Sequence, residues 1–247
     1  MMVMMMANKH RAKIAKIRNK REKDFSLLYR AVSKVFTNFA STAKNSITKA
    51  DLIDQIPWDD LSEELKSVIL SVMEPVTKDF SSFVNNLMSY GLEDNAINAI
   101  NSSFIKKYRK DVAKNVTNIT DSVRNSISKI ISNGQDTGLT SNDIAQQIYD
   151  KFDTLSLSRA KIIARTEVNS VTNNVHENVA QSAGMSKRTW IHTGAGKKSR
   201  EHHRSLNNVS IKFNETFNVN GYKAKCPHDE SLPISEKVSC HCLAIYE

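Results

Sequence analysis

The chain has 247 residues, a formal net charge of +9, 40% apolar residues and a mean hydropathy of -0.43. That length holds one large or two modest domains, and seven glycines and four prolines are too few for a turn-rich all-β protein. No apolar run approaches the ~18 residues needed to span a bilayer, and the opening MMVMMMA precedes its charges, the reverse of a secretory signal. Three cysteines, an odd and clustered set, argue against a disulfide framework and fit a reducing compartment.

The basicity is unevenly spread. Lys9, Arg11, Lys13, Lys16, Arg18, Lys20, Arg21 and Lys23 stand against Glu22 alone. Residues 1–24 therefore read as a basic N-terminal arm, suited to phosphate or to an acidic partner surface, or else as a solvated tail.

Phe25, Leu28, Val32, Val35, Phe36 and Phe39 recur at one-face helical spacing, so a helix is predicted over 25–40. Pro57 disfavours helix at Ile56. Asp59 or Asp60 can then cap a second helix carrying Leu61, Leu65, Val68, Ile69, Val72, Val76, Phe80, Phe83 and Leu87, which Pro75 should kink or break. A third stripe runs from Ile97 to Ile130 and predicts a single helix over 95–132, some ~55 Å long at 1.5 Å per residue. Ser132 to Gly138 reads as a loop and hinge. Thr140 or Ser141 caps a short helix, Thr154 to Ser158 offers a new start, and Gly184 ends the helix that follows.

After Gly184 the period becomes two. Arg188, Trp190 and His192 alternate with Thr189, Ile191 and Thr193; Val209, Ile211 and Phe213 do likewise. Asn220-Gly221 between Phe217-x-Val219 and Tyr222-x-Ala224 predicts a hairpin, and Val238 to Tyr246 a closing strand. The expected fold is mainly α: an elongated helical region over 25–135, then a small α+β domain over 139–247 with a short antiparallel sheet.

Chemistry-bearing residues crowd into this last region. All three cysteines, and five of the seven histidines, follow Trp190. Cys226, Cys240, Cys242 and His203, with His228 replacing one of them as a variant, make a donor set for one structural zinc. The rival is a set of packed thiols under Trp190. On the preceding helix Arg165 shares a polar stripe with Asn169, Asn173 and His176, whereas Glu167 lies on an apolar face and needs a partner. Arg200 is the expected partner and His203 the second choice, a buried ion pair fixing helix to sheet. Gly194-Ala-Gly-Lys197-Lys198 lacks the spacing of a phosphate-cradling loop; Lys197 and Lys198 can bind phosphate loosely or form a mobile basic loop.

The order Ala164-Arg165-Thr166-Glu167, Gly184-x5-Trp190, Arg200-x-x-His203-x-x-Leu206-Asn207 and Cys240-x-Cys242 resembles the phage Mu F-like family of head morphogenesis, or minor head, proteins, over roughly 139–247. Gly196 stands where that family tends to carry an acid, and Asn208 where it has a glycine. The resemblance implies a non-enzymatic virion protein inside the head, made in the host cytoplasm. It would bind the portal, capsid or scaffold protein and double-stranded DNA, and no membrane. The alternatives are a nuclease or toxin-like transferase in the C-terminal domain, or a simple DNA-binding protein.

Overall fold

The computed structural model describes residues 2–46, 56–194 and 199–247, with side chains from residue 10 onward except those of 153–156. Four long helices lead: α1 (Met2–Ser46), α2 (Trp58–Met88), α3 (Asp94–Asp136) and α4 (Ser141–Ser182). Short elements follow: β1 (Lys187–Ile191), α5 (Glu201–Ser205), β2 (Ser210–Lys212), β3 (Phe217–Val219), β4 (Tyr222–Ala224), α6 (Ile234–Lys237) and β5 (Leu243–Tyr246). The mainly α fold with a small antiparallel C-terminal part is as the sequence predicts. Among the described residues no helix is long and apolar enough to cross a membrane.

The helices are longer than their apolar stripes indicate. The cationic run belongs to α1, because Ala, Lys, Arg and Met are all good helix formers. Pro75 does not end α2; buried Met73, Val76 and Phe80 hold the helix on both sides of it. The expected break at 154–158 is absent, and α4 is one helix, since Ile148, Phe152 and Ala160 are all buried and tertiary packing overrides a local start signal. At its beginning Thr140 does act as a cap: Asp143 N–H donates to the Thr140 hydroxyl at 3.2 Å and the Thr140 N–H to the Asp143 carboxylate at 3.2 Å.

The predicted hinge over 132–138 is helical as far as Asp136. Gly134 is there for space rather than for bending: a Cβ on it would meet Ile144 Cγ1 at 2.6 Å. Gly138, at φ +71°, is where the turn falls. The buried seam of α3 runs through Ile97, Asn101, Ile105, Tyr108, Val112, Val116, Thr120, Val123, Ile127 and Ile131. Ile100, Phe104, Ile119 and Ile130, counted in the apolar stripe, flank that seam half-buried.

Contacts divide the chain into two compact units that do not follow chain order. One comprises Leu27–Val72 and Lys107–Ile163; the other comprises Met1–Ser26, Met73–Lys106 and Ala164–Glu247. The first is all helix, with a core that includes Phe39, Trp58 and Phe152: the Phe39 ring lies 5.5 Å from Trp58 and 5.4 Å, edge-on, from Phe152. Arg159 fixes α4 to α3 there by hydrogen bonds to the Ser122 and Ser126 hydroxyls at 3.0 and 3.3 Å.

The second unit is built around the last five turns of α4, which are buried on nearly every side. Gly184, at φ +71°, ends that helix as expected, and Met185 N–H donates back to the Ala180 carbonyl at 3.1 Å. The strands form two sheets rather than one. The first has order β2-β1-β5, antiparallel throughout, with Arg188 opposite both Ile211 and Tyr246. The second is the β3–β4 hairpin across Asn220 (φ 51°) and Gly221 (φ 88°), the positive pair that this two-residue turn requires. The closing strand is shorter than predicted, because Ser239 is left-handed (φ 56°) and residues 240–242 send their carbonyls elsewhere.

His176 on α4 is fully enclosed, with the Tyr90 hydroxyl at 3.0 Å from Nε2 and the Tyr246 ring edge-on at 4.7 Å. Burial, and then the nearby Arg21 charge, push its pKa down to about 3. The unfolded chain therefore binds a proton below pH 6.5 that the folded chain refuses, and stability falls as pH falls from there. This group alone costs about 2 kcal/mol at pH 5. Urea unfolding at pH 7 and pH 5 should show that loss in the wild type relative to His176→Gln, which keeps an acceptor for Tyr90. Gly134→Val should cost about 1–3 kcal/mol by overpacking, and Ile144→Ala in the same chain should recover part of it.

Candidate metal centre

Residues 240–242 lie between α6 and β5 with no strand partner, yet all three carbonyls are used, those of buried Cys240 and Cys242 and that of exposed His241 between them. Asn169 Nδ2 donates to the Cys240 carbonyl at 2.7 Å and His228 Nε2 to the same oxygen at 3.0 Å. The Thr193 hydroxyl donates to the His241 carbonyl. Asn173 Nδ2 and the Arg21 guanidinium donate to the Cys242 carbonyl at 3.1 and 3.3 Å, and Arg21 also holds the Asn173 amide oxygen at 2.8 Å. The polar stripe legible on α4 thus receives this backbone, with one contribution from α1.

So held, Cys240 and Cys242 turn their sulfurs toward one ring. His203, on α5, places Nδ1 at 3.4 Å from Cys240 Sγ and 3.7 Å from Cys242 Sγ. The donor atoms of His203, Cys240 and Cys242 all lie within 4.8 Å of one another, and all three residues are buried. Trp190 closes the site, its ring edge-on to His203 at 5.6 Å. These three residues could hold a metal ion; thiolate and imidazole are the donors zinc favours.

The far nitrogen of the same ring faces a carboxylate. His203 Nε2 lies 2.9 Å from Glu236 Oε2, which also meets His202 Nε2 at 2.7 Å, while Asn220 Nδ2 reaches Oε1 at 3.3 Å. Burial opposes ionisation of Glu236, but the hydrogen bonds from His202, His203 and Asn220 outweigh it, and its pKa lies below the usual carboxylate range. Burial likewise opposes protonation of His203, and Cys240 with Glu236 outweighs that and raises its pKa. Hydrogen bonding between the two thiols pulls Cys240 well below the ordinary thiol range and pushes Cys242 up.

The other candidate ligands and the residues of the expected ion pair lie elsewhere around this site. Cys226 packs in a separate cluster with Ala180, Ala244 and Tyr246, its thiol 4.0 Å from Asn174 Oδ1, and burial raises its pKa. His228 commits Nε2 to the Cys240 carbonyl. Arg165 forks onto Glu22 at 2.6 and 2.9 Å and stacks on Phe25 at 3.9 Å. Arg200 meets Glu236 at 3.7 Å and the carbonyls of Ser235 and Val238; Glu167 is buried. A buried ion pair does fix α4 to the sheet, through two residues the sequence reading left unassigned: Glu177 and Arg188, 2.9 Å apart. Arg188 also donates to the carbonyls of Phe213, Glu215 and Lys225, which places the hairpin.

Of the basic residues, Arg11, Lys16, Arg18 and Lys23 are exposed on α1 and Lys13 is half-buried. Lys20 is engaged by Asp24 at 2.6 Å and Asp79 at 2.7 Å, and Arg21 is buried, so that neither is a free phosphate contact. The Lys9 side chain, Lys197 and Lys198 lie outside the described residues.

Residues 121–245 match the family model described as Phage Mu protein F like protein. The chain is also similar to an uncharacterized protein of Bacillus subtilis (strain 168), YqbB, with 27% identity over 238 residues, covering 90% of this chain and 75% of that one. No solved structure matches it.

Removing a carbonyl clamp should unsettle this site without touching a sulfur. Asn169→Leu and Asn173→Leu, which keep side-chain volume but leave a buried carbonyl short of a donor, should each cost about 1–3 kcal/mol in urea unfolding.

Proposed function

The chain belongs to the Phage Mu protein F like family, and from that premise we propose that it is a minor head protein of a tailed bacteriophage, acting in head morphogenesis by binding rather than catalysis. The observation that carries this reading is the match over residues 121–245, the region that holds the Arg165-Thr166-Glu167 turn, Arg200-x-x-His203 and Cys240-x-Cys242. The burial of the donor cluster supports the non-enzymatic part. His203, Cys240 and Cys242 are 2%, 4% and 1% exposed, which leaves no sulfur or ring nitrogen open to a substrate. In this reading one structural zinc staples the Cys240-x-Cys242 segment to α5, as suits a thin C-terminal core.

The partners in this reading are the portal protein, capsid or scaffold protein, and packaged DNA, inside the head and in the host cytoplasm during assembly. Exposed cations on α1 support the nucleic-acid contact. Arg11 and Arg18 are seven residues apart, as are Lys16 and Lys23, so each pair stacks along one line of the helix. Non-specific binding by such residues falls with salt, with a slope near −0.9 in log-log form for each phosphate neutralised on duplex DNA.

The test begins with purified heads of a phage encoding the chain. Mass spectrometry should find it there at low copy beside the major capsid protein, and deletion of its gene should leave heads malformed or poorly infectious. Its absence from heads, together with normal infectivity after deletion, overturns the proposal. For the DNA contact, replacing Arg11, Lys16, Arg18 and Lys23 by Gln should flatten the salt slope by about 3–4; an unchanged slope removes α1 from that interface.

A further inference from the structure

We infer that His192 is the fourth protein ligand of the metal site around His203, Cys240 and Cys242, completing a Cys2His2 set of the class that takes zinc or cobalt. This rests on the structural-metal reading above and departs from the sequence reading, which drew its fourth donor from Cys226 or His228.

His192 directly follows β1, and its Nδ1 lies 3.3 Å from Cys242 Sγ. Tetrahedral zinc with its usual bond lengths sets sulfur and nitrogen ligands roughly 3.5 Å apart. The three sulfur–nitrogen pairs in contact, at 3.3, 3.4 and 3.7 Å, bracket that value, while His192 lies outside the group whose donors are all within 4.8 Å of one another.

What surrounds the two rings points the same way. A ligating histidine ordinarily has its other nitrogen held by a hydrogen-bonding partner, which fixes the tautomer and turns the lone pair to the metal. His203 has Glu236 behind it, at 2.9 Å. His192 has the Ser199 hydroxyl behind it, 2.8 Å from Nε2. Gly194 keeps that arrangement open, since a Cβ there would come within 3.1 Å of the His192 ring and 3.3 Å of the Ser199 hydroxyl.

The backbone at His192 is pinned on both sides. Its N–H donates to Asn207 Oδ1 at 2.9 Å, and the next residue's hydroxyl binds the His241 carbonyl. The ring meets the group through Cys242, so filling the fourth position takes a swing about its side-chain bonds with the main chain fixed. His228 is the rival donor, its Nε2 held by the Cys240 carbonyl and its buried Nδ1 without a hydrogen-bond partner, and the variants below separate the two histidines.

The test uses the whole chain, reduced and reconstituted anaerobically with zinc or cobalt, alongside His192→Ala, His192→Cys, His228→Gln and Cys226→Ser. The wild type should bind one metal per chain, its cobalt form showing tetrahedral bands and charge transfer from two thiolates. Cys226→Ser should keep that spectrum and affinity. His192→Ala should weaken binding beyond the roughly 10- to 100-fold that loss of an outer partner costs. His192→Cys should retain the metal and gain a third thiolate band, a positive signal that a misfolded chain cannot give. Two results overturn the inference while leaving the metal reading intact: unchanged affinity in His192→Ala, or metal loss in His228→Gln or Cys226→Ser with retention in His192→Ala. A wild-type chain that takes up neither metal overturns both.

Discussion

The C-terminal unit depends on three backbone carbonyls that have no strand to pair with. A buried carbonyl without a donor costs as much as a lost hydrogen bond or more, so Cys240 and Cys242 can sit inside only because side chains replace a sheet ladder. Asn169, Asn173, Thr193, His228 and Arg21 do this between them. The arrangement sets the direction of Cys240 and Cys242 and starts β5 in register against β1. It also explains a helix that is polar on a buried face, an otherwise unfavourable thing to enclose.

His203 is the second organising element, because its ring works at both edges. Nδ1 serves the thiols and Nε2 serves Glu236, the carboxylate that also gathers His202, Asn220 and Arg200. Through it α5, α6 and the β3–β4 turn share one polar centre, while Trp190 and Phe217 pack edge-on beside it at 5.3 Å. The proposed staple and the hydrophobic core are therefore neighbours, each shielding the other from water.

Much of this was legible in the sequence where the signal is local. Gly184 as a helix stop and Asn220-Gly221 as a hairpin turn both follow from backbone preference. The crowding of Cys and His after Trp190 marked the site. Which thiols meet there was not legible, because Cys226 and Cys242 are distinguished only by which core each side chain enters. The polar stripe of Asn169 and Asn173 could be seen, but such a stripe usually faces water, and nothing local reveals that a distant carbonyl will meet it. Glu177 and Arg188 escaped for the same reason, as did the burial of Arg21 within a run of solvated cations.

Arg21 and the Cys242 carbonyl it holds are 221 residues apart in sequence. Long separations make closure slow, and during synthesis the earlier partner must wait for the later one to leave the ribosome. The helical unit of Leu27–Val72 and Lys107–Ile163 has every residue it needs once Ile163 is out. The other unit begins at the chain's first helix and is not finished until β5 emerges. Until then Arg21 has no carbonyl to meet, and the first turns of α1 remain available to whatever the nascent chain encounters.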